Sequence, residues 1–448
     1  MKQKVNSILL VFGLAFALIT QAYAQSEKLT LQEAIDEALK NNIKIKKGEN
    51  NLIVASSYGN ASRFSFAPRV GANLSAGMRS GNSFNQQQGE VVNGVFSNIS
   101  GSISAEMDLF GGFEKINTMR SYQKQIEARR YDLQFTEQQI MQEVANNYLQ
   151  VLVRSEQLNI ARQNLEFQNN SYEKIKTEVE LGGKAAVDEY NQTAFVRSAE
   201  LEVLRAEIGL KNSKAALLMV MRLDPSTDIS LAPPNPPDAL LASNEGFESL
   251  NNQALENRND LKYFKEMESS GKFDLMVARS DFMPTLTARA GVGSNYNNIQ
   301  GYPNRSFEQQ FFGDNTYLGA SLNLYIPIFN GMRNQAQYVR SKIMYENSVL
   351  DRENTEFTIT SEVLNAYQNY NDAVLSYQLA VANMEAAEQA YNYNKESYDL
   401  GLINIIEFSK ANSDYFKAKS DLVGAKYTLM FQDIFLKSVL GTLEAEDL

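Results

Sequence analysis

The chain contains no cysteine and no histidine among its 448 residues. Disulfides are therefore excluded, and so is a lipid carried on an N-terminal cysteine. The commonest zinc ligands and the commonest nucleophile–base pairs are missing as well. No enzymatic role, cofactor or metal is expected. Basic residues are outnumbered, 42 against 53 acidic, for a net charge of −11. That balance argues against nucleic acid and against a polybasic membrane contact. Past residue 24 no stretch reaches the ~18 apolar residues that a transmembrane helix needs. A part that spans a membrane must then be made of strands.

The N-terminus reads as a targeting segment. Lys2 and Lys4 precede an apolar run from Ile8 to Ile19, and Ala22-Tyr23-Ala24 offers a small-x-small cleavage pattern. The run is too short to span a bilayer, so residues 1–24 are expected to be a secretory signal peptide. The mature chain would begin near Gln25 with a net charge of −13 once Lys2 and Lys4 are removed.

What remains is one unit written twice. Ala38-Leu39 through Ile45 answers Ala254-Leu255 through Leu261 at an offset of 216, and Phe66-Ala67-Pro68 answers Phe282-Met283-Pro284 at the same offset. Phe110-Gly111-Gly112 answers Phe329-Asn330-Gly331 at 219. Tyr148, Tyr172 and Leu181-Gly182 answer Tyr367, Tyr391 and Leu400-Gly401, again at 219. The three additional residues lie between Pro284 and Phe329, and a surface loop is expected there. Proline is scarce, nine in all, yet five fall in 224–247. Proline fixes φ and lacks a donor, so this segment is expected to be an extended linker. The expected domains are residues 25–223, the linker 224–247 and residues 248–448.

Within each unit the hydrophobic period changes. Residues 29–63 suit a helix, with Leu31, Ala34, Ile35, Ala38 and Leu39 on one face. Thr30 and Glu33 form a capping-box pair at its start. After Pro68 the period drops to two. Strands are expected at about 68–80 and 98–110, and again at about 284–296 and 317–329. Val70, Ala72, Leu74, Ala76 and Met78 line one face, and small or polar residues line the other. That alternation suits a tilted strand between lipid and a watery lumen. Glu106 and Asp108 fall on the lumen side. Gly81–Asn98 and Tyr296–Thr316, rich in Asn, Gln and Gly, are expected to be exposed loops. Phe113–Leu181 and Met332–Leu400 each run 69 residues without Gly or Pro. A continuous helix of that size is about 100 Å long. After each, glycine reverses the chain and a second helix returns, giving helical hairpins over 113–222 and 332–440.

Four strands cannot close a membrane barrel, because the smallest use eight. An open edge in lipid leaves backbone groups unpaired at several kcal/mol each. The chain must share its barrel with copies of itself, and the helices ring into a tube.

On these residues the chain resembles the TolC-type outer-membrane efflux proteins. The resemblance rests on Leu31-Gln32-Glu33-Ala34 with Ala38-Leu39, on Ala254-Leu255 with Asp260-Leu261, and on Phe66-Ala67-Pro68 and Phe282-Met283-Pro284. Phe329-Asn330-Gly331 and the ending Val439-Leu440-Gly441-Thr442-Leu443 complete it. No single motif is specific; the ordered set, duplicated, is. The resemblance implies a mainly α fold with membrane β-strands: a homotrimer with a twelve-stranded β-barrel continued by a periplasmic α-helical barrel, in the outer membrane. It implies a role as exit duct of a tripartite efflux or type I secretion system. The implied partners are a periplasmic adaptor (membrane fusion) protein, an inner-membrane exporter and outer-membrane lipid.

The resemblance also assigns sites. The family's docking and gating motif is a glycine, a small loop and an acidic residue six positions on. It falls on Gly182 with Asp188 and on Gly401 with Glu407. Gly182, Gly183, Gly401 and Leu402 are thereby candidate adaptor contacts, with Gly183 standing where a Leu is usual. Asp188, Glu407 and Lys410 are candidates for the periplasmic aperture. Lys410 occupies a position that is acidic in some relatives, so Glu407 and Lys410 can equally form a plain surface pair. A stand-alone trimeric pore and a trimeric structural surface protein remain the rival readings. A porin would put most of its residues in strands, and an adhesin would keep its strands at one terminus.

Overall fold

The computed structural model describes residues 28–85, 89–233 and 246–444. The signal peptide expected at 1–24 and Pro234, Pro236 and Pro237 of the expected linker lie outside the described residues.

Eight helices of eleven residues or more and a four-stranded sheet make up the fold among the described residues. Helices α1 (Leu31–Asn41) and α2 (Ile43–Phe64) lead into strands β1 (Arg69–Asn85) and β2 (Glu90–Gly111). Long helix α3 (Glu114–Glu180) and returning helix α4 (Ala186–Met221) follow. The order then repeats: α5 (Phe247–Asn257), α6 (Asn259–Ser280), β3 (Thr285–Ile299), β4 (Tyr317–Tyr325), α7 (Arg333–Asp399) and α8 (Ile405–Leu440).

The helix expected over 29–63 is two helices. Thr30 and Glu33 form the capping box at its start, but Asn42 takes an extended conformation with ψ 132°. Its side chain accepts from Lys44 N at 2.8 Å and reaches Val220 O at 3.4 Å. Local amide bonds of this kind compete with the helix ladder. Arg258 interrupts the second repeat at the matching position, with ψ 126° and its guanidinium bonded to the Asp260 carboxylate two residues on.

The sheet is antiparallel in the order β1-β2-β3-β4. β1 and β2 outrun expectation. Their ladder continues through Asn82↔Asn93 to Asn85↔Glu90, where a loop was expected from Gly81 to Asn98. The ladder bonds are backbone bonds and do not depend on side-chain polarity. Asn93 also donates to Asn82 across the strands at 2.6 Å. β4 stops at Tyr325 instead of 329, because Pro327 has no amide proton to donate. Tyr296–Thr316 is part strand: β3 runs to Ile299, and Phe307–Gln309 and Gln310–Asp314 form two helical turns.

The chain divides into two compact units. Among the described residues, one takes in those up to Glu49, those between Tyr131 and Leu261 and those from Thr355 onward; the other takes in those between Asn50 and Arg130 and between Lys262 and Asn354. In the first unit a core forms around Ile35, Ile140, Val144, Tyr148, Leu217, Met221 and Phe431. A second cluster holds Leu250, Leu261, Ile359 and Leu436. Leu29 N donates to Ser230 O and Ala232 N to Leu29 O, a short parallel bridge that straps the linker's start to the chain's beginning. In the second unit Gly59 lies against Ile126, Tyr58 stacks on Tyr122, and Ser121 is hydrogen-bonded to Ser270 and Asp274.

Candidate functional site

Two hairpin tips carry the residues that the sequence singled out. Both reversals close with the same pair of bonds. In the first, Gly183 N donates to Glu178 O and Gly182 N to Val179 O. In the second, Leu402 N donates to Ser397 O and Gly401 N to Tyr398 O. This is the six-to-one and five-to-two closure that needs a left-handed residue. Gly182 at φ 76° and Gly401 at φ 75° supply it. A side chain there would be strained by the backbone alone.

The two returning helices start differently. Asn404 caps α8 by accepting from Ile406 N and Glu407 N, each at 3.0 Å, and donates to the Glu407 carboxylate at 3.2 Å. Ala185 gives α4 no side-chain cap. Asp188 stands in the first turn of α4, where the helix dipole favours an acid. Glu407 and Lys410 are both exposed, and no ion pair between them occurs among the described residues. Leu181, Leu400 and Leu402 are exposed at the tips, at 81 %, 68 % and 72 % of their surface.

Behind the exposed leucines the two hairpins are fastened together by groups that the sequence reading did not single out. Lys184 lies over the Tyr398 ring, donates to its hydroxyl and pairs with Glu178. Burial pulls the Lys184 ammonium down, but the bonds to Tyr398 and Glu178 outweigh it and hold the group above its ordinary value. Lys174 pairs with Asp399 at 2.8 Å, and that bond raises Lys174. Ile175, Ile405 and Phe408 form the buried tip core. Phe408 stacks on Tyr398 at 5.0 Å, and Tyr391 stacks on Tyr415 at 4.9 Å. The signal was present in the sequence: Tyr391 and Tyr398 are seven residues apart, two helical turns on one face.

A line of buried amides crosses the same helices. Gln192 is wholly buried and donates to Gln168 O and Oε1. Gln168 donates to Asn164, and so does buried Asn412. Amides inside long helices read as solvent-facing in sequence, so nothing there announces this line.

The sheet has two unlike faces. Val70, Ala105, Ala290 and Ala320 share a row, and Ala72, Ile103, Val292 and Leu318 share the next on the same face. Leu74, Met78, Leu318 and Leu322 lie bare on that face. The opposite face carries Arg69, Glu106, Arg289 and Ser321 in one row. Arg69 pairs with Glu106 at 3.1 Å, and Lys115 with Asp108 at 3.0 Å. Glu106 and Asp108 thus lie on the polar face. Among the described residues no cluster of acidic groups is arranged to hold a metal, and no helix is long and apolar enough to cross a membrane.

Comparison with known proteins gives a consistent picture. The family model described as outer membrane efflux protein matches residues 34–221 and 250–442. The chain is 26 % identical to the pyoverdine export outer membrane protein OpmQ of Pseudomonas aeruginosa, over 76 % of this chain and 69 % of that protein. It is 25 % identical to protein CyaE of Bordetella pertussis, over 93 % of this chain and 85 % of that protein. Among solved structures, the outer membrane protein VceC of Vibrio cholerae superposes with a TM-score of 0.78 at 16 % identity, covering 92 % of this chain and 96 % of that one. That last likeness concerns the fold.

Proposed function

The chain belongs to the outer membrane efflux protein family, and from that premise we infer that it is the outer-membrane exit duct of a tripartite efflux system. It lies in the outer membrane, with its helical part extending into the periplasm. The observation that carries the mechanism is the four-stranded sheet with free edges at β1 and β4 and one bare apolar face. Lipid cannot satisfy backbone groups, so those edges must pair with other copies. Three copies supply twelve strands and six helical hairpins. A barrel of twelve strands is wide enough for a lumen, and the charged row Arg69, Glu106 and Arg289 suits a water-filled lining.

The duct performs no chemistry in this reading; cargo is delivered by an inner-membrane pump through a periplasmic adaptor. The exposed Leu181, Leu400 and Leu402 beside Gly182, Gly183 and Gly401 are the adaptor contacts. Asp188, Glu407 and Lys410 line the aperture beside them. Relatives named for pyoverdine export and for cation efflux use different cargoes on one architecture, which fits selection by the pump.

A photo-crosslinking residue at Leu402 in living cells tests the assignment. Capture of a periplasmic adaptor is expected. Capture of other copies of this chain and nothing else would withdraw the tip assignment and leave a stand-alone pore.

A further inference from the structure

Resting on the outer-membrane reading above, we propose that residues 300–316, between β3 and β4, form an aromatic wedge seated in the lipid of the outer leaflet at the boundary of headgroups and acyl chains. The segment folds back onto the sheet, and it does so on the apolar face. Gly101 and Leu74 are paired neighbours on that face, and the Phe311 ring lies 3.0 Å from where a Cβ on Gly101 would stand. Ser294, the partner of Gly101 in β3, donates its hydroxyl to Phe311 O. A side chain larger than glycine at 101 would push the ring off its seat.

Around Phe311 the aromatics are continuous. Phe307 stacks on Phe311 at 5.0 Å and meets Tyr296 of β3 edge-on at 5.3 Å. Phe312 meets Phe311 at 5.3 Å and is 72 % exposed. An exposed Phe cluster facing water would be a liability, whereas at a membrane interface it is a girdle.

The height agrees. The apolar face runs along β3 through Leu286, Ala288, Ala290, Val292 and Tyr296 at alternate positions, interrupted by Ser294, whose hydroxyl is bonded to Phe311 O, and turns polar at Asn298. Ten steps of ~3.3 Å, tilted by ~40°, rise about 25 Å, the depth of an outer-membrane barrel's apolar band. Tyr296 and its aromatic partners therefore stand at the band's outer margin.

The backbone gives a second reason. β4 begins at Tyr317, opposite Gly293, so β3 beyond Gly293 has lost its neighbour. Gln310 fills part of that edge, accepting from Asn297 N and donating to Asn297 O, each at 3.1 Å. Asn315 donates to Asn295 O at 2.7 Å. Unpaired strand groups within reach of lipid are costly, and these side chains remove them where the wedge sits.

The chain has no tryptophan, so single reporters can be introduced. Phe312→Trp, Leu318→Trp and Leu402→Trp versions of the mature protein are reconstituted into vesicles of phosphatidylcholine brominated on its acyl chains. The expected result is that Phe312→Trp loses a clear fraction of its emission, smaller than that lost by the deeper Leu318→Trp, while Leu402→Trp loses none. Phe307→Trp should behave as Phe312→Trp does and guards against a local disturbance. If Phe312→Trp and Phe307→Trp keep their emission and yield to aqueous acrylamide while Leu318→Trp is quenched, the wedge is overturned and the membrane sheet stands. If Leu318→Trp is also unquenched, the membrane placement of the sheet falls, and the wedge with it.

Discussion

The ammonium of Lys184, in the tip of the first hairpin, sits 4.2 Å from the centre of the Tyr398 ring in the second. With Glu178 on its other side at 3.1 Å, it couples the two tips that carry the proposed aperture residues Asp188, Glu407 and Lys410. A half-buried cation–π contact contributes about 1 kcal/mol. Taking this contact as one that holds the tips closed, Lys184→Ala is expected to raise the ratio of open to closed tips about fivefold. Single-channel recording in planar bilayers reads this as longer dwell at high conductance, with Lys184→Arg retaining the wild-type trace. Identical traces for Lys184→Ala and wild type would remove the coupling from the gating account.

Tyr148 gives the strap a comparable test. Its hydroxyl lies 2.8 Å from Leu29 O and 2.6 Å from Ala232 O, while the ring is buried in the core. Burial drives the phenol's pKa upward, so it stays a protonated donor. Tyr148→Phe keeps the ring and loses the bond, at a cost of about 1–2 kcal/mol. Tyr148→Ala also opens a cavity and is expected to cost about 3–5 kcal/mol. Thermal unfolding in detergent, followed by circular dichroism, should rank the two in that order. Equal losses would mean that the hydroxyl contributes nothing.

These two tyrosines show what a sequence reveals and what it withholds. Tyr148 was visible as a repeat position, because Tyr367 answers it. Its partners Leu29 and Ala232 are backbone carbonyls, which no side-chain pattern marks. The long helices were legible because Gly and Pro are absent from 113–181 and 332–400. The strand faces were legible because Val70 to Met78 alternate. Asn42 and Arg258 break helices through their own local bonds, not through a residue type that forbids helix, and were not foreseen. Neither was the extension of β1 and β2 through Asn82↔Asn93, where polar composition concealed a regular ladder. At the tips, Gly182 and Gly401 were foreseen by backbone need, whereas Lys184 meets Tyr398 across 214 residues. Nothing local marks such a pairing.

Glu137 supplies a pH dependence. Burial, and secondly the charge of Glu49, raise its carboxyl above the ordinary value. The folded state thus holds this proton more tightly than the unfolded state. Its contribution favours folding at pH below the ordinary carboxylate value and is lost as pH rises through the raised one. At neutral pH the charged group is a burden, and Glu137→Gln removes it. Melting temperature should be higher in Glu137→Gln than in wild type at pH 8, with the gap closing as pH falls toward 4. A gap that is constant with pH would assign the effect to packing.

The sheet's two faces make the sharpest demand, because water and lipid dictate opposite outcomes for one substitution. Leu318 is 85 % exposed on the apolar face, opposite Val292. Asn323, five residues on in the same strand and opposite Thr287, lies on the polar face. On a soluble protein, arginine at either exposed position would change stability little. In a membrane barrel, arginine on the lipid face near the midplane costs about 2–4 kcal/mol, and in the lumen it is tolerated. In the proposed three-copy barrel the cost is met three times. Leu318→Arg is therefore expected to deplete the oligomer in the outer-membrane fraction, while Asn323→Arg leaves its amount unchanged. Gel mobility of unheated membrane extracts measures both. Equal amounts of oligomer in the two variants would mean that Leu318 does not face lipid, and the assignment of the faces would have to be reversed or abandoned.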